Sequence, residues 1–208
     1  MITWLASYPR SGNTLYRMIL YHVMGIETYS IYNDHDLTGM GAAEAVGHRK
    51  MTQSIDAYRE SDEMFYVKTH GPPIDDSRAV YIVRDVRGAM ISYAHYLQDI
   101  DGFKGDFEAV LLQLIAGNRW GGWSNHVRQW LGRSQTEMVR FEDLVRGEWA
   151  GVMVATDGLP DFAQLHARWP QFFRRGKVGS WRDEMPKNLE ALCWHHHGKA
   201  MEWLGYER

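Results

Sequence analysis

Residues 2–14, ITWLASYPRSGNT, decide the fold of this chain. The apolar run 2–7 is typical of a short buried strand, and residues 8–12 form a turn. Apolar residues at helical spacing follow at Leu15, Met18, Ile19 and Val23. A strand, a glycine-containing turn and a helix are the layout of a phosphate-binding loop, in which backbone N–H groups and the helix N-terminus hold an anion.

This loop differs from that of a nucleotide triphosphatase. Gly12, Asn13 and Thr14 stand where such an enzyme has Gly-Lys-Ser/Thr, so the lysine is missing there. A basic residue, Arg10, lies three positions earlier, and Ser7 replaces the first glycine of the motif. The simpler alternative is a capped turn in which the asparagine and threonine only close the start of a helix.

The composition is that of a globular protein with one domain over residues 1–208. Apolar residues make up 45% of the chain and charged residues 24%, which is too apolar for a disordered protein. The net charge of −3 argues against a nucleic-acid partner, although one pocket can be basic in an acidic protein.

Cysteine usage and the N-terminus indicate a cytoplasmic protein. The single cysteine, Cys193, excludes an internal disulfide and a multi-cysteine zinc site, and fits a reducing compartment. The N-terminus does not have the pattern of a signal peptide, and no apolar run approaches the ~18 residues of a membrane span. Residues 195–197, HHH, point in different directions on a helix, so we expect no metal site there.

The rest of the chain predicts an α/β fold. We expect strands at residues 65–68, 79–83 and 136–141, and mostly loops with one helix over 27–62. We expect further helices from Val86 to Leu97, over 107–116 and 120–131, and from Glu142 onward. Strands that alternate with helices imply a central parallel sheet covered on both faces, with ligands at the carboxyl ends of its strands.

Two further clusters suit a phosphate. Arg84 ends a strand and Ser92 follows eight residues later, and a guanidinium with a hydroxyl suits a phosphate monoester. Residues 172–181, FFRRGKVGSW, place three basic residues within four positions. The simpler alternatives are a surface arginine with a helix serine, and a solvated basic loop.

Together these segments resemble the sulfotransferases that use 3′-phosphoadenosine-5′-phosphosulfate (PAPS). Residues 8–14 resemble the 5′-phosphosulfate loop of that family, and residues 81–93 its 3′-phosphate signature. Residues 172–181 resemble the Arg-Lys-Gly-x-x-Gly-x-Trp segment, and residues 67–72, VKTHGP, the Lys-Thr-His-x-Pro segment. The resemblance implies a P-loop-like three-layer sulfotransferase fold, and the compact chain is most similar to small bacterial or phage-type members.

The resemblance also implies residue roles. His70 would take the proton of the acceptor, Lys68 would lie near the sulfuryl group, and Arg10 would stabilise the leaving phosphate. No metal is required, because side-chain cations replace it. The residues implied to bind the cofactor are Arg10, Ser11, Gly12, Asn13, Thr14, Arg84, Ser92, Trp120, Arg174, Arg175 and Gly176.

The expected reaction moves a sulfuryl group from PAPS to a hydroxyl or amine and releases adenosine 3′,5′-bisphosphate (PAP). The sequence does not distinguish between a small-molecule, a glycan and a lipid acceptor, and it is compatible with a homo-oligomer. Leu15 stands where many members have a tryptophan on adenine, and residues 144–172 are short. The alternatives are a P-loop small-molecule kinase and a non-catalytic nucleotide-binding or interaction protein.

Overall fold

A five-stranded parallel sheet forms the centre of the protein, whose computed structural model describes residues 1–149, 152–153 and 159–208. Its strands lie in the order β2-β3-β1-β4-β5. The strand bounds are β1 Ile2–Ser7, β2 Thr28–Ser30, β3 Phe65–Thr69, β4 Ala79–Val83 and β5 Thr136–Arg140. Two short strands, β6 Glu148–Trp149 and β7 Val152–Met153, form a separate antiparallel pair.

Helices cover both faces of the sheet. Their bounds are α1 Asn13–Met24, α2 His35–Gly39, α3 Ile55–Glu60, α4 Val86–Asp99, α5 Phe107–Ala116, α6 Trp123–Leu131, α7 Phe141–Arg146, α8 Phe162–Arg168 and α9 Lys187–Trp203. Leu5 of β1 packs on one face with residues of α1 and α7. Its neighbours Trp4 and Ala6 pack on the other face with α4, α5, α6 and α9. The predicted three-layer α/β fold is therefore confirmed.

The predicted elements agree closely with the structure. β1 and β4 have the expected bounds, whereas the helix expected from residue 120 begins at Trp123. Residues 27–62, expected as loops with one helix, contain two α-helices, α2 and α3, and the edge strand β2. β2 has only three residues, too few for a sequence pattern, and it is fixed by its parallel pairing with β3.

The topology brings the polar clusters to one edge. β3 and β4 both pair with β1, so the segments that follow these three strands share the carboxyl edge of the sheet. Ser7, Thr69 and Val83 are the last residues of the three strands. Within the part of the chain that the structure describes, no helix is long and apolar enough to span a membrane.

Candidate active site

The turn after β1 is built around Gly12. This glycine has φ 102°, and a Cβ there would lie 2.6 Å from Cδ2 of Phe141. The Asn13 side-chain amide donates to the Leu5 carbonyl at 2.9 Å and to the Ser7 hydroxyl at 3.3 Å. The turn is therefore tied to the strand it leaves, and a side chain at position 12 would force the Phe141 ring to move.

The Ser11 hydroxyl of this turn is available to a ligand. The Ser11 Oγ is buried, and no hydrogen-bond partner for it lies among the described residues. A buried polar atom without a partner costs about 1–3 kcal/mol. A phosphate oxygen on the turn would accept from this hydroxyl, so the residues present fit the 5′-phosphate expected there. Thr14 is half-buried at the start of α1, beside the same turn.

Arg10 is held by contacts around its guanidinium. Its Nη2 donates to the Phe172 carbonyl at 2.9 Å, and its Nε donates to the Ser92 hydroxyl at 3.3 Å. The rings of Tyr96 and Phe172 lie 5.1 and 4.9 Å from the guanidinium carbon. Burial lowers the pKa of this arginine. The residue itself has a left-handed backbone, with φ 64°.

Arg84 lies next to Arg10 at the end of β4. Its Nη1 donates to the Arg10 carbonyl at 3.0 Å, and its guanidinium carbon lies 4.2 Å from the ring of Phe141. Burial lowers its pKa to about 10. Among the described residues, no carboxylate lies within 4.0 Å of either guanidinium. Two neighbouring cations, neither of them in a direct ion pair with a carboxylate, suit an anion.

The arginines of the C-terminal loop differ, because both already have carboxylate partners. Arg174 pairs with Glu184 at 2.7 Å, and Arg175 pairs with Asp183 at 3.2 Å and with Glu184 at 3.3 Å. Gly176 has φ 57° and no room for a side chain, since a Cβ would lie 2.3 Å from the ring of Phe162. Their roles at the 3′-phosphate remain predictions.

His70, which follows β3, has one free ring nitrogen. Its Nδ1 lies 2.8 Å from the Ser7 carbonyl oxygen, which only accepts, so Nδ1 carries the proton. Nε2 keeps its lone pair, and none of the described residues hydrogen-bonds to it. Burial and the nearby Lys68 ammonium lower the pKa of His70 to about 3, so the ring is neutral at physiological pH.

Helix α6 fixes the backbone around His70. His126 Nε2 donates to the His70 carbonyl at 3.0 Å, and the indole of Trp130 donates to the Gly71 carbonyl at 3.0 Å. Both side chains are buried, as is Trp123 in the same helix. The aromatic residues of this segment therefore serve the core and the placement of the candidate base.

Trp120 lies beside His70. The two ring centroids are 5.9 Å apart, and Tyr32 lies 5.9 Å from the same indole. The indole donates to the Tyr93 hydroxyl at 3.0 Å. These neighbours place Trp120 next to the candidate base, whereas Leu15 packs with the core on the opposite face of the sheet. Contact between Trp120 and adenine remains a prediction.

Sequence reasoning missed Arg17 and Asp34, which lie near Lys68. The Lys68 ammonium donates to Asp34 at 2.8 Å, and Arg17 pairs with the other oxygen of that carboxylate. Tyr32 stacks on His70 with ring centroids 5.7 Å apart and accepts from its backbone N–H at 2.9 Å. The position of Arg17 within the apolar stripe of α1 could have indicated a buried ion pair, but no pattern marked Asp34.

The histidines near the C-terminus are not gathered around one point. His197 is buried, with its Nδ1 2.8 Å from the Ser124 hydroxyl and its Nε2 3.1 Å from the Ile115 carbonyl. Among the described residues, no group of three His, Cys, Asp or Glu side chains is arranged to hold a metal ion.

Comparison with known proteins defines the class. The model of the sulfotransferase domain family matches residues 2–147, which is most of the chain. The chain therefore belongs to the sulfotransferase family, and the expected class of enzyme, a PAPS-dependent sulfotransferase, is confirmed.

Individual relatives are distant but cover nearly the whole chain. Sulfotransferase 1E1 of Mus musculus is 21% identical over 95% of this chain and 82% of its own. Mouse sulfotransferase SULT7A1 complexed with PAP has a TM-score of 0.66 at 17% identity, over 96% of this chain and 83% of its own. Retinol dehydratase in complex with androsterone and PAP has a TM-score of 0.64 at 17% identity, over 96% and 80%.

Proposed function

We propose that this protein transfers the sulfuryl group of PAPS to a hydroxyl or amine of a small acceptor, with His70 as general base, and releases PAP. One observation carries the proposal: the free Nε2 of His70 and the pair Arg10 and Arg84, neither in a direct ion pair with a carboxylate, lie on the same edge of the sheet. A base beside an anion site is what transfer from an anionic donor needs.

The residues present fit PAPS. The turn with its unpartnered Ser11 hydroxyl would hold the 5′-phosphate through Ser11, Gly12, Asn13 and Thr14. The 3′-phosphate would meet Arg84, Ser92, Arg174, Arg175 and Gly176. Bound PAPS supplies the activated sulfuryl group. Arg174 and Arg175 would then interact both with the phosphate and with their carboxylate partners.

His70 moves the proton in this proposal. Nδ1–H remains on the Ser7 carbonyl, so Nε2 accepts the acceptor proton without a change of tautomer. The low pKa of His70 belongs to a site without an anion, and the negative charge of PAPS raises it by favouring the imidazolium. Lys68 would neutralise charge on the sulfuryl oxygens, and Arg10 would neutralise charge on the leaving phosphate.

The acceptor class follows from the rings around His70. Tyr32 and Trp120 contact both the imidazole and each other, so a flat apolar molecule with one hydroxyl or amine suits the site better than a glycan. The structures of retinol dehydratase hold androsterone or retinol with PAP, which agrees with an apolar acceptor. We also propose that residues 1–208 form a single domain and that the protein acts in the cytoplasm.

Calorimetric titration with PAP, 5′-AMP and Mg-ATP tests the cofactor. If Arg84 and its neighbours hold the 3′-phosphate, PAP should bind roughly a hundredfold tighter than AMP, because each charged hydrogen bond contributes about 1.5–3 kcal/mol. A preference for Mg-ATP would favour the kinase alternative. Release of PAP from PAPS in the presence of a panel of phenols, alcohols and amines then separates an enzyme from a non-catalytic binding protein.

A further inference from the structure

Lys68 belongs to a buried ion network with Asp34 and Arg17, and these two residues have no role in the chemistry proposed above. One oxygen of Asp34 accepts from Lys68 at 2.8 Å, and the other oxygen pairs with Arg17. The side chains of Arg17 and Asp34 are 0% and 1% exposed, and that of Lys68 is 11% exposed. Burying three charges costs a large desolvation free energy, so such a network contributes little to stability by itself.

The carboxylate of Asp34 is fixed from several sides. The Ser30 hydroxyl donates to its Oδ1 at 2.9 Å. Arg17 is fixed in turn, since its Nε donates to the Thr28 hydroxyl at 2.7 Å and its Nη2 lies 3.0 Å from Nδ1 of His48. Two residues of the edge strand β2 thus orient the network, and Asp34 offers Lys68 one defined position.

The network has one unit of positive charge in excess. Arg17 and Lys68 contribute two cations, and Asp34 contributes the one carboxylate. Burial and the neighbouring guanidinium lower the pKa of His48, so that ring stays neutral. The Lys68 ammonium lies 6.0 Å from the ring centroid of Tyr32, the ring that stacks on His70. The excess charge is therefore presented next to the candidate base.

We propose that Asp34 is the positioning residue of Lys68: it holds the buried ammonium in place and charged, while Arg17 offsets the charge of the carboxylate itself. The inference rests on the proposed function, because Lys68 must meet the sulfuryl group. Without the carboxylate, Lys68 would be buried beside Arg17 alone. Burial and the guanidinium already act to lower the pKa of Lys68, and Asp34 is the main group that opposes them.

The groups that face Lys68 define how a pH profile is interpreted. They are Arg17 of α1, Tyr32 after β2, Asp34 and Asp36 at the start of α2, His48, and His70 after β3. The pKa of Asp34 lies below its ordinary value, and His70 as a base is inactivated by gaining a proton, on the acid side. A loss of activity on the alkaline side of neutrality that disappears in the Lys68→Met background is thus attributable to loss of the Lys68 proton.

The test is a double-mutant cycle in kcat with Asp34→Asn, Lys68→Met and the double variant, measured between about pH 6 and 9. Asp34→Asn should lower kcat by about tenfold or more at the upper end and recover at the lower end, because the amine is protonated there. In the Lys68→Met background, the same change should lower kcat by less than about twofold. Equal losses in both backgrounds, or a loss independent of pH, would overturn the proposal.

Asp36→Asn is the matched control. It removes a carboxylate two residues away whose Oδ2 accepts from the Tyr96 hydroxyl at 3.2 Å and does not bond to Lys68. Asp36 acts on Lys68 through its charge alone, so its effect on kcat should change much less in the Lys68→Met background than the effect of Asp34→Asn does. Coupling as large as that of Asp34→Asn would mean that any charge change in the region perturbs the lysine equally, and the assignment to Asp34 would fail.

Affinity measurements test the role of Asp34 without an acceptor. The ratio of PAPS to PAP affinity, from calorimetric titrations, should fall several-fold with rising pH in Asp34→Asn and stay constant in the unaltered protein. If the unaltered protein transfers to no acceptor, the proposed function fails while this ratio still tests Asp34. If Asp34→Asn does not fold, Arg17→Gln replaces it, and the ratio should fall at every pH, because the network then has no excess charge. An unchanged ratio would contradict the proposal.

Discussion

Two groups of cations lie toward the carboxyl edge of the sheet, and they differ in whether a carboxylate of the protein balances their charge. Arg10 and Arg84 contact backbone carbonyls, a hydroxyl and aromatic rings, with no carboxylate within 4.0 Å among the described residues. Lys68 and Arg17 share the buried carboxylate of Asp34. We expect an anionic ligand to complete the first pair, whereas the second already has a carboxylate within the protein. Binding and chemistry should therefore be separable by mutation.

The largest effect should come from His70→Ala. General base catalysis contributes about 10²–10⁴-fold, so turnover should fall by at least a hundredfold. PAP affinity should stay within about twofold, because the imidazole contacts the Ser7 carbonyl and not the arginine pair. Steady-state rates and calorimetry on the same preparation check this. A variant that keeps its turnover would remove His70 as the base.

Arg84→Gln, in contrast to His70→Ala, should weaken PAP binding. Loss of one charged hydrogen-bond donor should weaken PAP binding by about 10–100-fold, with little change in AMP binding. Arg175→Gln is the matched comparison, since this arginine already pairs with Asp183 and is 39% exposed, and its effect should be several-fold at most. If the two variants weaken PAP binding equally, the contrast between unpaired and paired arginines is wrong.

Gly12→Ala should cost stability and binding together. A residue with a side chain is strained at φ 102°, and its Cβ would meet the Phe141 ring, so we expect a loss of about 1–3 kcal/mol in unfolding free energy. Gly25→Ala is the control, because Gly25 also has positive φ but no atom lies within 4 Å of its Cβ position. Chemical denaturation of both variants measures the difference. Equal losses would show that the Phe141 contact is unimportant.

The smallest effect concerns pH and the buried histidines. Burial lowers the pKa of His126 and His197 to about 4, against about 6.5 in an unfolded chain. Their contribution to stability is complete above about pH 6.5 and is lost as the pH falls toward 4, because the unfolded chain then binds more protons. Between pH 7 and 5 each should contribute a loss of roughly 1–2 kcal/mol. Thermal unfolding of His197→Gln should show a smaller decrease in Tm over this interval than the unaltered protein.

Much of the fold was predictable because its signals are local. Apolar runs marked β1 and β4 with the observed bounds, and the turn at Gly12 was marked by its own residues. β2 was not predictable, since three residues carry no periodicity and its pairing with β3 is tertiary.

The site was predictable only in part. His70 and Arg84 follow recognisable strands, but the partners that set their chemistry come from elsewhere. Asp34 lies in an unpatterned region, and Glu184 reaches Arg174 only after the chain has turned back through a short 3-10 helix. Charge balance around a cation is a property of the folded chain, and residue spacing does not encode it.

The hydrogen bond from Arg10 to the Phe172 carbonyl has a consequence for synthesis on the ribosome. Phe172 is made 162 positions after Arg10, so the turn at Gly12 is synthesised well before one of its contacts. A growing chain cannot complete this contact until Phe172 has emerged, because a contact between such distant residues forms only when both are present. A nascent chain that stops short of Phe172 should therefore lack this part of the proposed nucleotide site.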